Sequence, residues 1–260
     1  MSEGLLCEDR GAVRTITIAR PEKKNAITME LLREISEKLD EAQATREIRA
    51  VAITGAGGSF CSGADLGNIG GGERIDIEQA IRADLHGVIR RLRHLVEKPT
   101  VALVDGPAVG FGCDLALACD LRLVSSRAVF SEVFGRRGLV PDGGGTFHLP
   151  RLVGLGRALE MMYLGDKVDA TEAHRIGLAN RVFPAETFEA QSREVLDRLG
   201  KTAPLAVAYT KRCVNAALDA DLETALSNEA RHQILCLRSQ DFMEGLSAFF
   251  GKRDPDFKGE

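Results

Sequence analysis

The chain has 260 residues, which is enough to bury one large hydrophobic core or two modest ones. Hydrophobic residues make up 44% and charged residues 28%, and the formal net charge of −4 argues against a general nucleic-acid binder. No apolar run could cross a bilayer, the N-terminal segment lacks the apolar core of a secretory signal, and the cysteines show no CxxC spacing. We therefore expect a cytoplasmic protein with no metal site, no membrane partner and no nucleic-acid partner.

The N-terminal part of the chain alternates between strand and helix patterns. Residues 12–19 alternate with β-branched side chains, which is typical of a strand. Thr28 can cap a following helix whose apolar residues recur at helical spacing. The predicted elements are a strand at 12–19, a helix from Thr28 to about Ala44, a strand at 49–54, a glycine-rich segment at 55–72, and a long helix that ends near Val96, before Pro99.

The same alternation continues to about residue 125 and then gives way to helices. The predicted elements are a strand at 100–104, a turn at Gly106-Pro107, a helix at 111–118, a strand at 120–125, and, after Pro150, one strand at 179–183 and helical periodicity at 203–250. Strands and helices with short links predict an α/β fold with mainly parallel pairing. The change in pattern divides the chain into a core at 1–200 and a C-terminal helical region at 201–260, whose apolar faces suit packing on another subunit.

Two glycine-rich segments are candidate functional loops. The first, GGSFCSGADL at 57–66, is not a phosphate loop, because no Gly-Lys-Ser/Thr follows it and the G-x-G-x-x-G spacing is absent. The second, DGPAVGFGCDL at 105–115, places a strand, a tight turn and a helix start in sequence. The first N–H groups of a helix are unpaired and slightly positive, which suits an anionic oxygen. Two such donors from separate loops, converging on one carbonyl, would form an oxyanion hole.

Five motifs that follow one another along the chain resemble those of the crotonase superfamily, which includes enoyl-CoA hydratases and isomerases. They are Arg20-Pro21-x-x-Lys24-Asn25-Ala26, Phe60-Cys61-Ser62-Gly63-Ala64-Asp65, Gly106-x-Ala108-x-Gly110-x-Gly112-x-Asp114-Leu115-Ala116, Gly138-Leu139-x-Pro141-x-x-Gly144-Gly145-Thr146, and Ala248-Phe249-Phe250-x-Lys252-Arg253-x-Pro255. The resemblance covers nearly the whole chain. It implies an α/β fold built as a ClpP-like spiral of β-β-α units, with a C-terminal helical trimerisation region and a homotrimer or a homohexamer made as a dimer of trimers.

The resemblance also implies a site for an acyl-CoA substrate. The backbone N–H groups of Ala64 and Phe111 would polarise the thioester carbonyl, although many members carry glycine at the position of Phe111, which could equally be a core residue. No cofactor is expected, since coenzyme A is part of the substrate. The residues expected near the bound CoA are Lys24, Ser62, Ala64, Asp65 and, from a neighbouring subunit, Lys252; either lysine could instead be a solvated surface charge.

The acidic residues depart from the hydratase pattern of the family. Hydratases use two glutamates, and matching the motifs places the first at Asp114 and the second at Phe134, which cannot ionise. Asp142 occupies the place where dienoyl-CoA isomerases and isomerases of the ring-opening phenylacetate type carry a functional aspartate. A single base beside an apolar Phe134 favours proton shuttling over hydration. The resemblance therefore implies an enoyl-CoA isomerase of the Δ3,Δ2 or a related type, with Asp142 as the proton shuttle.

Several alternatives stay open on sequence grounds. Asp114 could support catalysis or only complement the helix dipole, and Pro141-Asp142-Gly143 could be a plain turn. A hydratase that uses Asp114 and Glu132 is the first competing function. The second is a non-catalytic crotonase-fold binding protein. The acyl chain cannot be inferred, because its pocket is expected to come from scattered residues between 69 and 95 and from the C-terminal helices.

Overall fold

The structure, a computed structural model, describes residues 4–65 and 77–260. Part of the glycine-rich segment and part of the expected acyl pocket therefore lie outside the described residues. The strands in the described ranges are β1 (Leu5–Arg10), β2 (Val13–Ile18), β3 (Ala50–Gly55), β4 (Thr100–Val104), β5 (Pro107–Val109), β6 (Leu121–Ser125), β7 (Val129–Ser131), β8 (Val168–Asp169) and β9 (Arg181–Phe183).

The helices pack around these strands and then continue alone toward the C-terminus. They are α1 (Met29–Ala44), α2 (Ile77–Ala80), α3 (His86–Arg90), α4 (Phe111–Ala118), α5 (Gly145–Val153), α6 (Leu155–Leu164), α7 (Ala170–Arg175), α8 (Phe188–Leu199), α9 (Pro204–Ala217), α10 (Leu222–Leu237) and α11 (Gln240–Gly251). A π-helical turn, Ile81–Leu85, joins α2 to α3, and a second one, Arg91–Leu95, continues α3, so these elements form one continuous helical segment.

The main sheet has six strands in the order β1-β2-β3-β4-β6-β9, and only the β1–β2 pair is antiparallel. The central strands read as continuous apolar runs because both of their faces are covered, as is usual for parallel sheets. In β3, Ala50, Val51, Ala52 and Ile53 are all 0% exposed. The short strands β5, β7 and β8 form a second sheet, and β5 lies next to the first glycine-rich loop through a bridge between Cys61 and Ala108.

Most of the predicted elements are confirmed. Thr28 caps α1 as expected, since its side-chain oxygen accepts a hydrogen bond from the Leu31 N–H at 3.3 Å. The prediction of a turn at Gly106-Pro107 is wrong for the proline, which begins β5. β1, β7 and β8 were also missed. β7 and β8 contain two or three residues, too few for a hydrophobic period, and β1 is largely exposed.

The C-terminal helices α9, α10 and α11 carry exposed apolar side chains. Phe249 and Phe250 are 77% and 73% exposed, and Leu222 is 70% exposed. Contiguous apolar surface of this kind is typical of protein–protein contacts. The expected trimerisation role of this region stays a prediction.

The six cysteines are free, and Cys61, Cys113 and Cys119 are buried. Within 4–65 and 77–260, no helix has both the length and the apolar character needed to cross a membrane. The same ranges contain no group of three or more metal-ligating side chains.

Candidate active site

The first glycine-rich loop is anchored by the buried side chain of Asn25. Asn25 is 0% exposed and has a φ of 57°, a left-handed conformation that asparagine tolerates better than most residues. Its Nδ2 donates to the carbonyls of Ala56 at 2.8 Å and Ser59 at 2.6 Å. The Lys24-Asn25 motif therefore fixes the loop that leads to Ala64.

The Ala64 amide is left free by the way its neighbours pair. Ile27 and Ala64 form a parallel bridge, in which the Ile27 N–H donates to Gly63 O at 2.9 Å and the Asp65 N–H donates to Ile27 O at 2.8 Å. In a parallel bridge the residues before and after the partner make the bonds, so the Ala64 N–H faces the other side. No backbone acceptor for it is recorded in the described residues.

The Phe111 amide is free because it opens a helix. Phe111 is the first residue of α4, and the helical bonds begin with the Asp114 N–H donating to Gly110 O at 3.1 Å. The first N–H groups of a helix have no partner within it. Gly110 has a φ of 56° and a ψ of −126°, which favours glycine, and its N–H donates to Ser131 O at 2.9 Å. The turn before α4 is thus held to β7.

The two free amides belong to segments in direct contact. A methyl group added to Gly112 would overlap the Cys61 carbonyl oxygen, so only glycine lets the start of α4 lie on the loop. A methyl group added to Gly63 would lie 3.7 Å from the Phe111 nitrogen. The segment that carries Ala64 therefore lies directly against the start of α4, and the convergence of the two amides on one oxygen stays a prediction.

Asp142 lies on the loop that leads into α5 and is half-buried. Its Oδ1 is enclosed and has no hydrogen-bond partner among the described residues. Its carbonyl oxygen accepts a hydrogen bond from Nε2 of His86 at 2.9 Å, which requires the proton to be on that nitrogen. Burial raises the pKa of the Asp142 carboxyl, while a hydrogen bond from its own backbone and the charge of His86 oppose the rise.

Asp114 and Glu132 form a pair of neighbouring carboxyl groups next to the Asp142 loop, and both residues are 0% exposed. Oδ2 of Asp114 accepts a hydrogen bond from the Gly143 N–H at 2.8 Å. In the described part of the chain, Oδ1 of Asp114 and both oxygens of Glu132 lack a hydrogen bond of normal geometry, and the Cys113 thiol beside Glu132 is a weak potential donor. Burial, then the charge of Glu132, raises the pKa of Asp114 well above its usual range, and burial raises the pKa of Glu132 to about 7.

Phe134 and Gly143 close the apolar side of the site. Phe134 is 7% exposed, and a methyl group added to Gly110 would lie 3.8 Å from its Cζ. A methyl group added to Gly143 would lie 2.8 Å from the Phe111 ring and 2.6 Å from Cβ of Asp114. The helix start, the Asp114 carboxyl and the Asp142 loop are therefore packed together with little room for water.

Comparisons with known proteins agree with this geometry. A family model described as enoyl-CoA hydratase/isomerase matches residues 8–260. The chain belongs to this family. It is 38% identical to a probable enoyl-CoA hydratase of Rhodobacter capsulatus, over 94% of this chain and 93% of the relative. It is 34% identical to a 1,2-epoxyphenylacetyl-CoA isomerase of Escherichia coli, with 100% of both chains covered.

Solved structures of the family share the fold. The crystal structure of an enoyl-CoA hydratase from Bacillus anthracis superposes with a TM-score of 0.95 at 31% identity, covering 99% of this chain and 100% of the other. A putative enoyl-CoA hydratase from Streptomyces coelicolor superposes with a TM-score of 0.93 at 35% identity, covering 99% of this chain and 95% of that one. The crotonase fold inferred from the motifs is confirmed.

Three of the residues expected to bind CoA lie together at the first loop of this family member. Lys24 is exposed, and its carbonyl accepts a hydrogen bond from the Ser62 N–H at 3.0 Å. The Asp65 carboxylate forms an ion pair with Nη2 of Arg20 at 3.0 Å. The side chain of Asp65 therefore helps to hold the loop against Arg20, a partner that the sequence interpretation did not identify.

Lys252, the residue expected near the CoA of a neighbouring subunit, lies close to the C-terminus and is exposed. It ends α11 with a φ of 50°, and its N–H donates to the Ala248 and Phe249 carbonyls of the same helix end. Its expected contact with CoA phosphates in a neighbouring subunit stays a prediction. His86 was missed altogether, because nothing in the sequence links it to Asp142, 56 residues away.

Gly145→Ala tests whether the Asp114 carboxyl must keep its position. The added methyl group would overlap Oδ1 of Asp114, so the carboxyl and the Asp142 loop must shift. We expect a loss of about 1–3 kcal/mol in the free energy of unfolding. We also expect a fall of about 10²-fold in kcat on an acyl-CoA substrate, the usual consequence of misplacing a catalytic group by an ångström. Chemical denaturation and steady-state kinetics measure the two effects.

The matched control for that variant is Gly156→Ala in α6, where an added methyl group meets nothing within 4 Å. It should leave kcat unchanged and stabilise the fold by about 0.4–1 kcal/mol. Equal behaviour of the two variants would show that the close contact at Gly145 is unimportant.

Proposed function

We propose that this family member catalyses double-bond isomerisation of an enoyl-CoA, with Asp142 as the group that moves the proton. The thioester oxygen would accept hydrogen bonds from the N–H groups of Ala64 and Phe111. The carboxylate of Asp142 would take a proton from one carbon of the acyl chain and return it to another. The negative charge of the intermediate dienolate would rest on the oxygen between these two steps, where fixed donors stabilise it most.

The observation that carries the proposal is that Asp142 can accept a proton, whereas Phe134, at the position of the family's second glutamate, cannot ionise. Hydration needs groups that hold and deprotonate a water, and Phe134 offers no hydrogen bond where the family's second glutamate would stand. Asp142 has an enclosed, unpartnered oxygen and a raised pKa, which are suitable properties for a proton shuttle. One relative, from Escherichia coli, is itself named as an isomerase, a 1,2-epoxyphenylacetyl-CoA isomerase.

Binding of the CoA part would use the first loop. Lys24 and Ser62 are joined there by their backbones, and Asp65 is fixed by its ion pair with Arg20. We propose that this loop meets the CoA moiety and that Lys252 of a neighbouring subunit meets its phosphates. A trimer or a dimer of trimers would cover the exposed apolar side chains of α10 and α11.

Hydration of a 2-enoyl-CoA is the second candidate. Two observations favour it: relatives from Rhodobacter capsulatus and Clostridium acetobutylicum are named as hydratases, and Asp114 and Glu132 lie side by side. Both carboxyls are fully buried, however, and three of their four oxygens lack a hydrogen bond of normal geometry in the described ranges. Such a pair is poorly suited to activate a water at the substrate's β-carbon.

The test supplies the purified chain with a 3-enoyl-CoA and, separately, with a 2-enoyl-CoA, and follows the products by chromatography and mass. An isomerase converts the first into a 2-enoyl-CoA of the same mass. Water addition to the second substrate, lost in Glu132→Gln and kept in Asp142→Asn, would overturn the proposal. Failure to turn over either thioester, despite binding, would favour the non-catalytic alternative.

A further inference from the structure

We infer that Asp114 and Glu132 share one proton as a carboxylic acid pair, and that this pair is a positioning device for the loop that carries Asp142. The structural part of the inference stands on the geometry of the pair. Its catalytic meaning rests on the function proposed above. Glu132 is then neither a spare catalytic acid nor an ordinary core residue.

Burial leaves the carboxyl oxygens of the pair short of hydrogen-bond donors, and a proton held between the two acids would supply one. An ionised carboxylate accepts hydrogen bonds but donates none. Asp114 and Glu132 are both 0% exposed and lie within hydrogen-bonding reach of each other. Three of their four oxygens lack a hydrogen bond of normal geometry in the described residues, where the Cys113 thiol is only a weak donor to Glu132. Burying two ionised carboxylates side by side is strongly unfavourable. One proton between Oδ1 of Asp114 and an oxygen of Glu132 gives a hydrogen bond to two of those three oxygens.

The groups that surround the pair provide no compensating positive charge. Burial is the largest cause of the raised pKa values of both acids. The charges of Glu132 and Asp142 raise the pKa of Asp114 further, and that of Asp142 also raises the pKa of Glu132, whereas a hydrogen bond from the Cys113 thiol of α4 lowers it. His86 on α3 acts on Asp142 on the other side of that loop. The raised pKa of Glu132, about 7, and the strongly raised pKa of Asp114 agree with retention of one proton at neutral pH.

A shared proton fixes the orientation of the Asp114 carboxyl and, through it, the loop that carries Asp142. Its Oδ2 accepts the hydrogen bond from the Gly143 N–H, next to Asp142 in the chain. With Oδ1 held by Glu132, the Asp114 carboxyl cannot rotate, and the backbone that presents Asp142 is held with it. The pair carries one negative charge and no free base, so Asp142 is left as the single group that exchanges protons with a substrate.

The first experiment measures unfolding by denaturant from pH 4 to pH 8 in wild type, Glu132→Gln, Asp114→Asn and the double variant. In the unfolded chain both carboxyls ionise near their usual pKa of about 4, whereas the folded pair keeps a proton above it. Folding therefore binds a proton in this window, and the contribution of the pair to wild-type stability falls as pH rises, by about tenfold in the folding equilibrium constant per pH unit for one proton.

Each single variant replaces one acid by an amide that can donate to the other, so the remaining acid ionises more readily. We expect either variant to remove the same proton, and the double variant to remove no more. Additive effects of the two changes would mean two independent buried acids and would overturn the inference. A purely structural role would lower stability equally at every pH, which would also overturn it.

The second experiment does not depend on enzymatic activity. The infrared carbonyl band of a protonated carboxylic acid is followed against pH in Asp142→Asn, where Asp142 itself cannot contribute. We expect one such band to persist at neutral pH and to vanish when Glu132→Gln is added. No band at neutral pH would overturn the shared proton. The proposed function predicts that Asp142→Asn has lost nearly all isomerase activity. If this variant kept its activity, the proposed function would be wrong, but the infrared evidence for the shared proton would be unaffected.

Discussion

Asp142→Asn is expected to lower kcat for isomerisation by about 10²–10⁴-fold, the usual contribution of a positioned acid–base group. KM should change little, because the amide keeps the size of the carboxylate and the oxyanion donors are untouched. Steady-state kinetics with a 3-enoyl-CoA measure the effect. The pH dependence gives a second readout. Asp142 must be ionised to accept a proton, so in wild type kcat/KM falls as pH drops through its raised pKa, and this limb should disappear in the variant.

The control for Asp142→Asn is Asp166→Asn, a surface aspartate whose side chain is 67% exposed and pairs with Arg136. That variant should keep the wild-type kcat and pH profile, since exposed ion pairs contribute little. An Asp142→Asn enzyme with near-wild-type kcat, or one that keeps the acidic limb, would show that another group moves the proton.

Phe111→Pro is expected to lower kcat by about 10²–10³-fold, the usual loss on removing one oxyanion donor. Proline deletes the N–H, and it is well tolerated at the first position of a helix, where that N–H has no helical acceptor. The preceding Gly110 has an extended ψ of −126°, which avoids the α conformation that a following proline disfavours. Kinetics with the same substrate, alongside thermal unfolding, separate a lost donor from a lost fold.

Phe111→Ala is the matched control, because it removes the ring and keeps the N–H. It should retain most of kcat, although loss of a ring that is only 2% exposed will reduce stability. If the alanine and proline variants lose kcat equally, the side chain matters and the amide does not. That result would remove one of the two proposed donors.

Local signals explain why much of the fold could be predicted from the sequence. α1 was predicted within a residue, because Thr28 is a cap and its apolar residues repeat at helical spacing. α4 and β4 were predicted at their observed bounds for similar reasons: each is a short apolar run bounded by glycine or proline. β5 was taken as a turn because Gly106-Pro107 is locally a turn signal. Its pairing with β7, and the Cys61–Ala108 bridge, are tertiary interactions.

The site residues likewise divide into those that local motifs predict and those that only tertiary packing brings together. Ala64 and Phe111 could be proposed from motif order, and the structure brings their segments together. The hydrogen bond from His86 to the Asp142 carbonyl joins residues 56 positions apart, and no local pattern encodes it. Glu132 was considered on sequence grounds only as a catalytic acid of the alternative hydratase. Its burial beside Asp114 depends on tertiary packing, which secondary-structure propensity does not encode.

The central claim is that main-chain amides from two segments hold the thioester oxygen, and it can be tested on a bound ligand. An acyl-CoA labelled at its thioester carbonyl carbon is bound to the protein, and the carbonyl chemical shift is compared with that of the free thioester. We expect a downfield shift from polarisation by two donors, retained in Phe111→Ala and much reduced in Phe111→Pro. A bound carbonyl with the shift of the free thioester, or one that is unchanged by the proline, would contradict the account.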